Sequence, residues 1–373
     1  MRIILSLLIA VSLLSCGNGQ TASRQEEGDT VAFKYATQLS VVRYDDYTVA
    51  SLKNPWKPGK TLHQYILVPS NQEVPSGIPE GTIIRTPLKH SMIFSTVHCA
   101  LLMEMGCQDC IAGVADLKYI KIPWIHEQVQ QKRIADVGDG LSPVVEKIID
   151  EHPDALFLSP FENSGGYGRL EEIDIPIVEC AEYMEPSPLA RAEWIRFYGM
   201  LFGCEAKADS LFQITDSSYN ALRTLAKTGA EQPSILVDKI TGSVWYVPGG
   251  KSTLGQMMTD ANGLYLWASD AHSGSVSLPF EAVLEKAGES DIWLFRYSGD
   301  HPITYKELLQ EHHGYSQFRA FRNHQVYGCN VELSPFYEET PFHPDWLLGD
   351  FIHILHPDIE NLPPLRYYQK LGN

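Results

Sequence analysis

Residues 141–160, LSPVVEKIIDEHPDALFLSP, read as a short helix, a sharp stop and a buried strand. Ser142 is placed to cap the helix, and Pro143 suits its first position, where a missing N–H leaves nothing unpaired. Val144, Val145, Ile148 and Ile149 form one apolar face, which puts Glu146 on the polar side. Pro153 stops the helix, and ALFLS follows as an apolar run of strand length. A helix leading into a short, wholly apolar strand is the repeating half of an α/β layer, whose parallel sheet is covered on both faces.

The same grammar continues outward. GTIIRTP at 81–87 reads as a strand, SMIFSTVHCALLMEMG at 91–106 as a helix, and IAGVAD, RIADVG and IPIVECA as further strands, a βα series that implies a parallel sheet. A helical region starts at Ser187-Pro188, is interrupted at Gly203 and resumes from Glu205 to about Lys227. At 1.5 Å per residue that second helix is about 35 Å long, enough to bridge two lobes. The series restarts with SILVDKI at 234–240, TLGQMMTDANG as helix and LYLWA as strand. SLPFEAVLEKAGESDIWLFRYSG at 277–299 is again helix then strand, followed by YKELLQEH, HQVYGCN and the closing helix of HPDWLLGDFIHILHPDI. The unit around Glu146 has an echo around Glu281: a proline at the helix start, a glutamate soon after, an acid before the strand, then an apolar strand.

A chain of 373 residues with 44% hydrophobic content exceeds one ordinary core, so two lobes are expected. The formal net charge of −17, with no offsetting basic run, opposes binding to nucleic acid. Residues 1–15 form an export signal with Arg2 and an apolar run from Ile3 to Leu14, too short to span a bilayer. Leu13-Leu14-Ser15-Cys16 resembles the bacterial lipobox, which would leave Cys16 as a lipidated N-terminus on a polar tether over 16–30. Residues 31–80 are β-rich, and the remaining spans divide into a first lobe at 81–203, a linker helix at 204–229 and a second lobe at 230–373. Six further cysteines would lie in an oxidising envelope, and Cys107-Gln-Asp-Cys110, lacking a second such pair or zinc-spaced histidines, points to a disulfide or buried thiols rather than a metal.

Three ordered motifs, RIADVGDGLSPVVEKIIDEHPDALFLS, ARAEWIRFYGMLFGCEAKA and HPDWLLGDFIHILHPDI, resemble the periplasmic substrate-binding proteins of iron-complex and vitamin B12 ABC importers over roughly Gly81 to Tyr368. The resemblance implies two Rossmann-like α/β lobes, each with a central mostly parallel sheet, joined by one long helix, with the β-rich N-terminal extension added. It implies a ligand held between the lobes and an ABC importer permease as partner, docked through one acidic residue per lobe. By motif position these are Glu146 and Glu281. Exposed ion pairs contribute only about 0–1 kcal/mol each, so such a pair sets orientation more than affinity. A monomer, lipid-anchored at the periplasmic face of the envelope, is expected.

In open α/β sheets ligands bind beyond the carboxyl ends of the strands. The loops there offer His90, Tyr119, Trp124 and Phe161 in the first lobe, and Lys239, Trp245, Tyr246, Trp267, Arg296 and Tyr297 in the second. The aromatics suit the flat faces of a corrin, porphyrin or catecholate complex, with Lys239 and Arg296 meeting carboxylates or phosphates. No loop gathers the His/Asp/Glu group a bare divalent ion needs, so the transported ligand is read as a metal chelate (ferric siderophore, haem or cobalamin), with no resident cofactor. Two other readings stand beside this one. A ligand-capture lipoprotein without a permease would dispense with Glu146 and Glu281, and a secreted α/β hydrolase would want a G-x-S-x-G elbow that the sequence lacks.

Overall fold

The computed structural model describes residues 28–162 and 166–372. The expected α/β architecture is present: two five-stranded, mostly parallel sheets and a long helix between them. The first sheet has the spatial order 177–179, 155–158, 91–93, 111–114, 135–136, all parallel. The second has the order 264–265, 234–237, 292–297, 326–330, 368–370, parallel except for the last strand. The strands ALFL at 155–158 and IWLF at 292–295 are buried throughout, as sheets covered on both faces require.

The helix Glu205–Ala226 joins the lobes and belongs to both cores. Ala208 and Phe212 pack with the first lobe, Tyr219 and Ala226 with the second. At 22 residues it is about 33 Å long.

A third five-stranded sheet, Asp29–Val31, Leu39–Arg43, Thr48–Lys53, Thr61–Pro69 and Thr82–Thr86, runs antiparallel until its last pair, which is parallel. Its inner residues, among them Val41, Leu52, Tyr65 and Ile84, share the first lobe's core. The strand expected at 81–87 therefore closes this sheet, and the first lobe's own leading strand is Ser91–Ile93. The helix expected from Ser91 begins only at Thr96, where the Ser95 side chain accepts from Val97 N–H.

Two buried carboxylates fasten the chain that enters this sheet. Glu193, fully buried, accepts the backbone N–H groups of Lys34, Tyr35 and Ala36 at 2.7, 2.7 and 2.8 Å. Glu185 accepts from Thr37 and Gln38 N–H and from the Trp194 indole. The same segment reaches the linker helix, where Lys34 and the Tyr35 hydroxyl meet Asp216 at 2.6 and 2.7 Å.

The opening stretch departs from expectation at its start. Ser142-Pro143 pairs with Gly138-Asp139 in a small hairpin, and the helix spans Val145–Asp150 without a side-chain cap. Val145 and Ile148 are buried, whereas Val144, which precedes the helix in an extended conformation, and Ile149 are exposed. No helix among the described residues is long and apolar enough to cross a membrane.

Candidate functional site

Each parallel sheet has one point where successive crossovers change direction, so the loops on either side diverge and leave a crevice at the carboxyl ends. In the first lobe it lies between Ser91–Ile93 and Ala155–Leu158, in the second between Ser234–Val237 and Ile292–Tyr297.

The first crevice opens into a cavity of about 660 Å³ lined by Phe94, Asp116, Leu158, Ser159, Phe161, Tyr167 and Arg169. Asp116 follows its strand in a left-handed conformation (φ +51°) and donates its N–H to Gly138 O at 2.7 Å, which ties the hairpin over the cavity. Gly140 lies close under the Asp116 carboxylate, and a Cβ there would meet Asp116 Oδ2 at 2.6 Å unless that side chain turned aside. The lining thus offers aromatic faces, hydroxyls, one carboxylate and one guanidinium to a single ligand of the size such cavities bury.

The second crevice is spanned by Asp238 and Arg296. Asp238, at φ +58°, follows Val237 and accepts from Arg296 Nη2 at 2.6 Å and Nε at 3.1 Å. Burial opposes the guanidinium's charge, but the Asp238 carboxylate outweighs it and holds Arg296 firmly protonated. Arg296 also lines a smaller cavity of about 180 Å³ with Val97, Arg191, Phe336, Tyr337 and Leu347, so residues of both lobes share one space. Further along the seam, Lys121 pairs with Glu332, Thr96 Oγ1 donates to Glu338 at 3.0 Å, and His343 Nε2 lies 2.7 Å from Glu104. The carboxyl ends of the two sheets therefore face one another across a bridged cleft.

Beneath the first crevice lies a buried polar group. Ligand atoms of His98, Cys180 and Glu182 lie within 4.8 Å of one another, the one such grouping among the described residues. Tyr198 OH donates to Glu182 Oε2 at 2.9 Å and sits 3.1 Å from His98 Nε2. Burial works against the His98 charge, yet Cys180 and Glu182 push it up to about 10. Burial likewise opposes ionisation of Glu182, but His98 and then Arg191 hold it down at about 2. His98 Nε2 lies 3.5 Å from Glu182 Oε1, and the two form an internal ion pair of the lobe core.

The sequence candidates scatter around this frame. Phe161 lines the large cavity, Tyr119 stands exposed on the adjoining turn with the Lys118 ammonium 4.7 Å over its ring, and Arg296 spans the second crevice. Lys239 pairs with Glu311 beside that crevice, and the Tyr297 hydroxyl accepts from Ile303 N–H at 2.9 Å. Trp124 is half-buried against the first core. Trp245 is fully buried, its indole donating to Val237 O at 2.9 Å, and Trp267 is a core residue beneath the Lys286 ammonium. Tyr246, one residue on from Trp245 in the same strand, points outward. His90 precedes the strand Ser91–Ile93 and so sits at its amino end, near Glu151, on the side of the sheet away from the cavity. Its assignment to the cleft followed from counting 82–86 as a strand of this lobe.

Glu146 and Glu281 occupy matching positions. Each lies in the first turn of a helix that follows a small antiparallel pairing and feeds the strand flanking its lobe's switch point. Glu146, exposed, pairs with Arg169 at 2.9 Å, which lowers its pKa; Glu281 is exposed in its helix. Cys16 lies outside the described residues. Sequence reading missed Asp238, Arg191, Phe94 and Arg169. Asp238 was within reach, as the acid directly ending SILVD, whereas the others are brought in by tertiary contacts.

Two uncharacterized lipoproteins of Methanocaldococcus jannaschii are similar to this chain, one 26% identical across 89% of it and 84% of that protein, the other 23% identical across 99% and 98%. Among solved structures, a periplasmic haem binding protein from Pseudomonas aeruginosa superposes with a TM-score of 0.59 at 14% identity, covering 77% of this chain and 99% of that one. An Fe3+-hydroxamate transport system protein from Saccharomonospora viridis gives 0.56 at 19% identity, over 72% and 92%. At such identities the two structures establish a shared fold. The sequence profile of the family described as "Periplasmic binding protein" matches residues 104–333, and with that match across both lobes the chain belongs to the periplasmic binding protein family.

Proposed function

We propose that this protein captures a metal chelate, a ferric siderophore, haem or cobalamin, between its lobes and delivers it, without chemical turnover, to an ABC importer permease. The observation that carries the reading is the facing pair of switch-point crevices, with one cavity lined by residues of both lobes. Phe94, Phe161 and Tyr167 supply flat apolar surface in the larger cavity, and Arg169 and Arg191 supply cationic groups for peripheral carboxylates. Arg296, already gripped by Asp238, presents a fixed guanidinium at the shared cavity. Glu146 and Glu281, matched in the two lobes, are the docking carboxylates, and the lipoprotein relatives support anchoring at Cys16 in the envelope.

Titrating the purified protein with a ferric hydroxamate, haem and cobalamin, followed by absorbance and thermal midpoint, tests the ligand class. One of the three should bind saturably and raise the midpoint, as a ligand selective for the folded state must. If none does, the chelate reading is wrong. Glu281→Lys should leave that affinity unchanged, and adding Glu146→Lys should cut permease-coupled uptake at least about tenfold; intact uptake in the double variant would remove the docking assignment.

A further inference from the structure

The cysteine pair 107/110 is absorbed by neither crevice, and the structure gives one of its members a different partner. The Cys107 and Cys204 sulfurs lie 3.3 Å apart although 97 residues separate them in sequence. Both are set by helix ends. Helix Thr96–Glu104 closes through Gly106 (φ +76°), and Cys107 N–H returns to Leu102 O at 2.7 Å. Helix Ile195–Phe202 closes through Gly203 (φ +69°), and Cys204 N–H returns to Gly199 O at 2.9 Å. Two left-handed caps thus hold the cysteines with their sulfurs touching, and closing to a bond of about 2.05 Å needs a shift of little more than an ångström.

We propose that Cys107 and Cys204 form a disulfide in the exported protein. It rests on the family's periplasmic setting, where thiols are exposed to disulfide donors, and not on the identity of the ligand. The Cys107 thiolate attacks a sulfur of the donor disulfide and releases one donor thiolate; the Cys204 thiol, giving up its proton as it attacks, then bonds to the Cys107 sulfur of that mixed disulfide and releases the other donor sulfur as a thiol. The two cysteines lose two electrons and two protons, and the donor disulfide is reduced to two thiols. Burial raises Cys110 to about 11 and Cys204 to about 12, so it is the 3.3 Å contact with Cys107 that singles out Cys204 as the partner. Because Cys204 immediately precedes the linker helix, the bond fixes the start of that helix to the first lobe.

The test uses the full chain, exported and purified without reductant, then alkylated and digested. Non-reducing mass spectrometry should find one linked peptide pair, Cys107 to Cys204, retained in Cys110→Ser. Reductant should lower the thermal midpoint by roughly 5 °C or more in the wild type and leave Cys204→Ser unmoved. Six free thiols after incubation with oxidised glutathione, a Cys107–Cys110 link, or an equal reductant effect in Cys204→Ser would each overturn the proposal.

Discussion

Arg296 crosses the second lobe's switch point to hold Asp238 through two contacts, Nη2–Oδ2 at 2.6 Å and Nε–Oδ1 at 3.1 Å, from a backbone position that φ +58° makes unusual for aspartate. Asparagine tolerates the same left-handed region, so Asp238→Asn removes charge without adding backbone strain. With the pair partly exposed, the loss should be about 1–2 kcal/mol, less than for a fully buried pair. Urea unfolding measures it, and an unchanged midpoint would show that the pair does not support the folded state.

Glu193 should matter more. Its two oxygens satisfy three backbone N–H groups of one short segment, and glutamine replaces one acceptor oxygen with a donor. Glu193→Gln should cost about 2–4 kcal/mol, with protease cutting appearing near residues 34–36. A loss under about 1 kcal/mol would mean that water takes over those donors.

The interlobe pair Lys121–Glu332 is half-exposed at both ends, so Lys121→Ser should change stability by no more than about 1 kcal/mol. Its signature is salt dependence, which the variant should lose. A larger loss, insensitive to salt, would point to packing by the lysine stem rather than to charge.

The His98–Glu182 pair gives stability two pH limits. His98 is raised from 6.5 to about 10, so its contribution is complete below pH 6.5 and disappears as pH climbs toward 10. Glu182 is lowered from 4.5 to about 2, so its contribution is complete above pH 4.5 and disappears as pH falls toward 2. The midpoint difference between wild type and His98→Gln should stay flat from pH 4.5 to 6.5 and then shrink. A difference that is constant up to pH 10 would show that His98 is neutral in the folded protein.

Local pattern carried most of the architecture. ALFL and IWLF are apolar at every position because their sheets are covered on both faces, and that is visible residue by residue. What failed was non-local. Nothing in TIIRT says that it pairs with Thr61–Pro69 instead of leading the first lobe, and that one misplacement carried His90 to the wrong end of a strand. Trp245 and Tyr246 show a finer limit, since alternation along a strand buries one and exposes the other while composition treats them alike. His98, Cys180, Glu182 and Tyr198 meet only after three segments fold together, so their pairing had no trace in sequence spacing.

The carboxylate-fastened segment at 34–38 also has a mechanical consequence. Residues 34–38 are held to the first lobe by Glu185 and Glu193 and to the linker helix by Asp216. A load applied to the amino-terminal end of the described chain therefore enters the first lobe and the shaft together, with Tyr35 packed against the cores of both lobes.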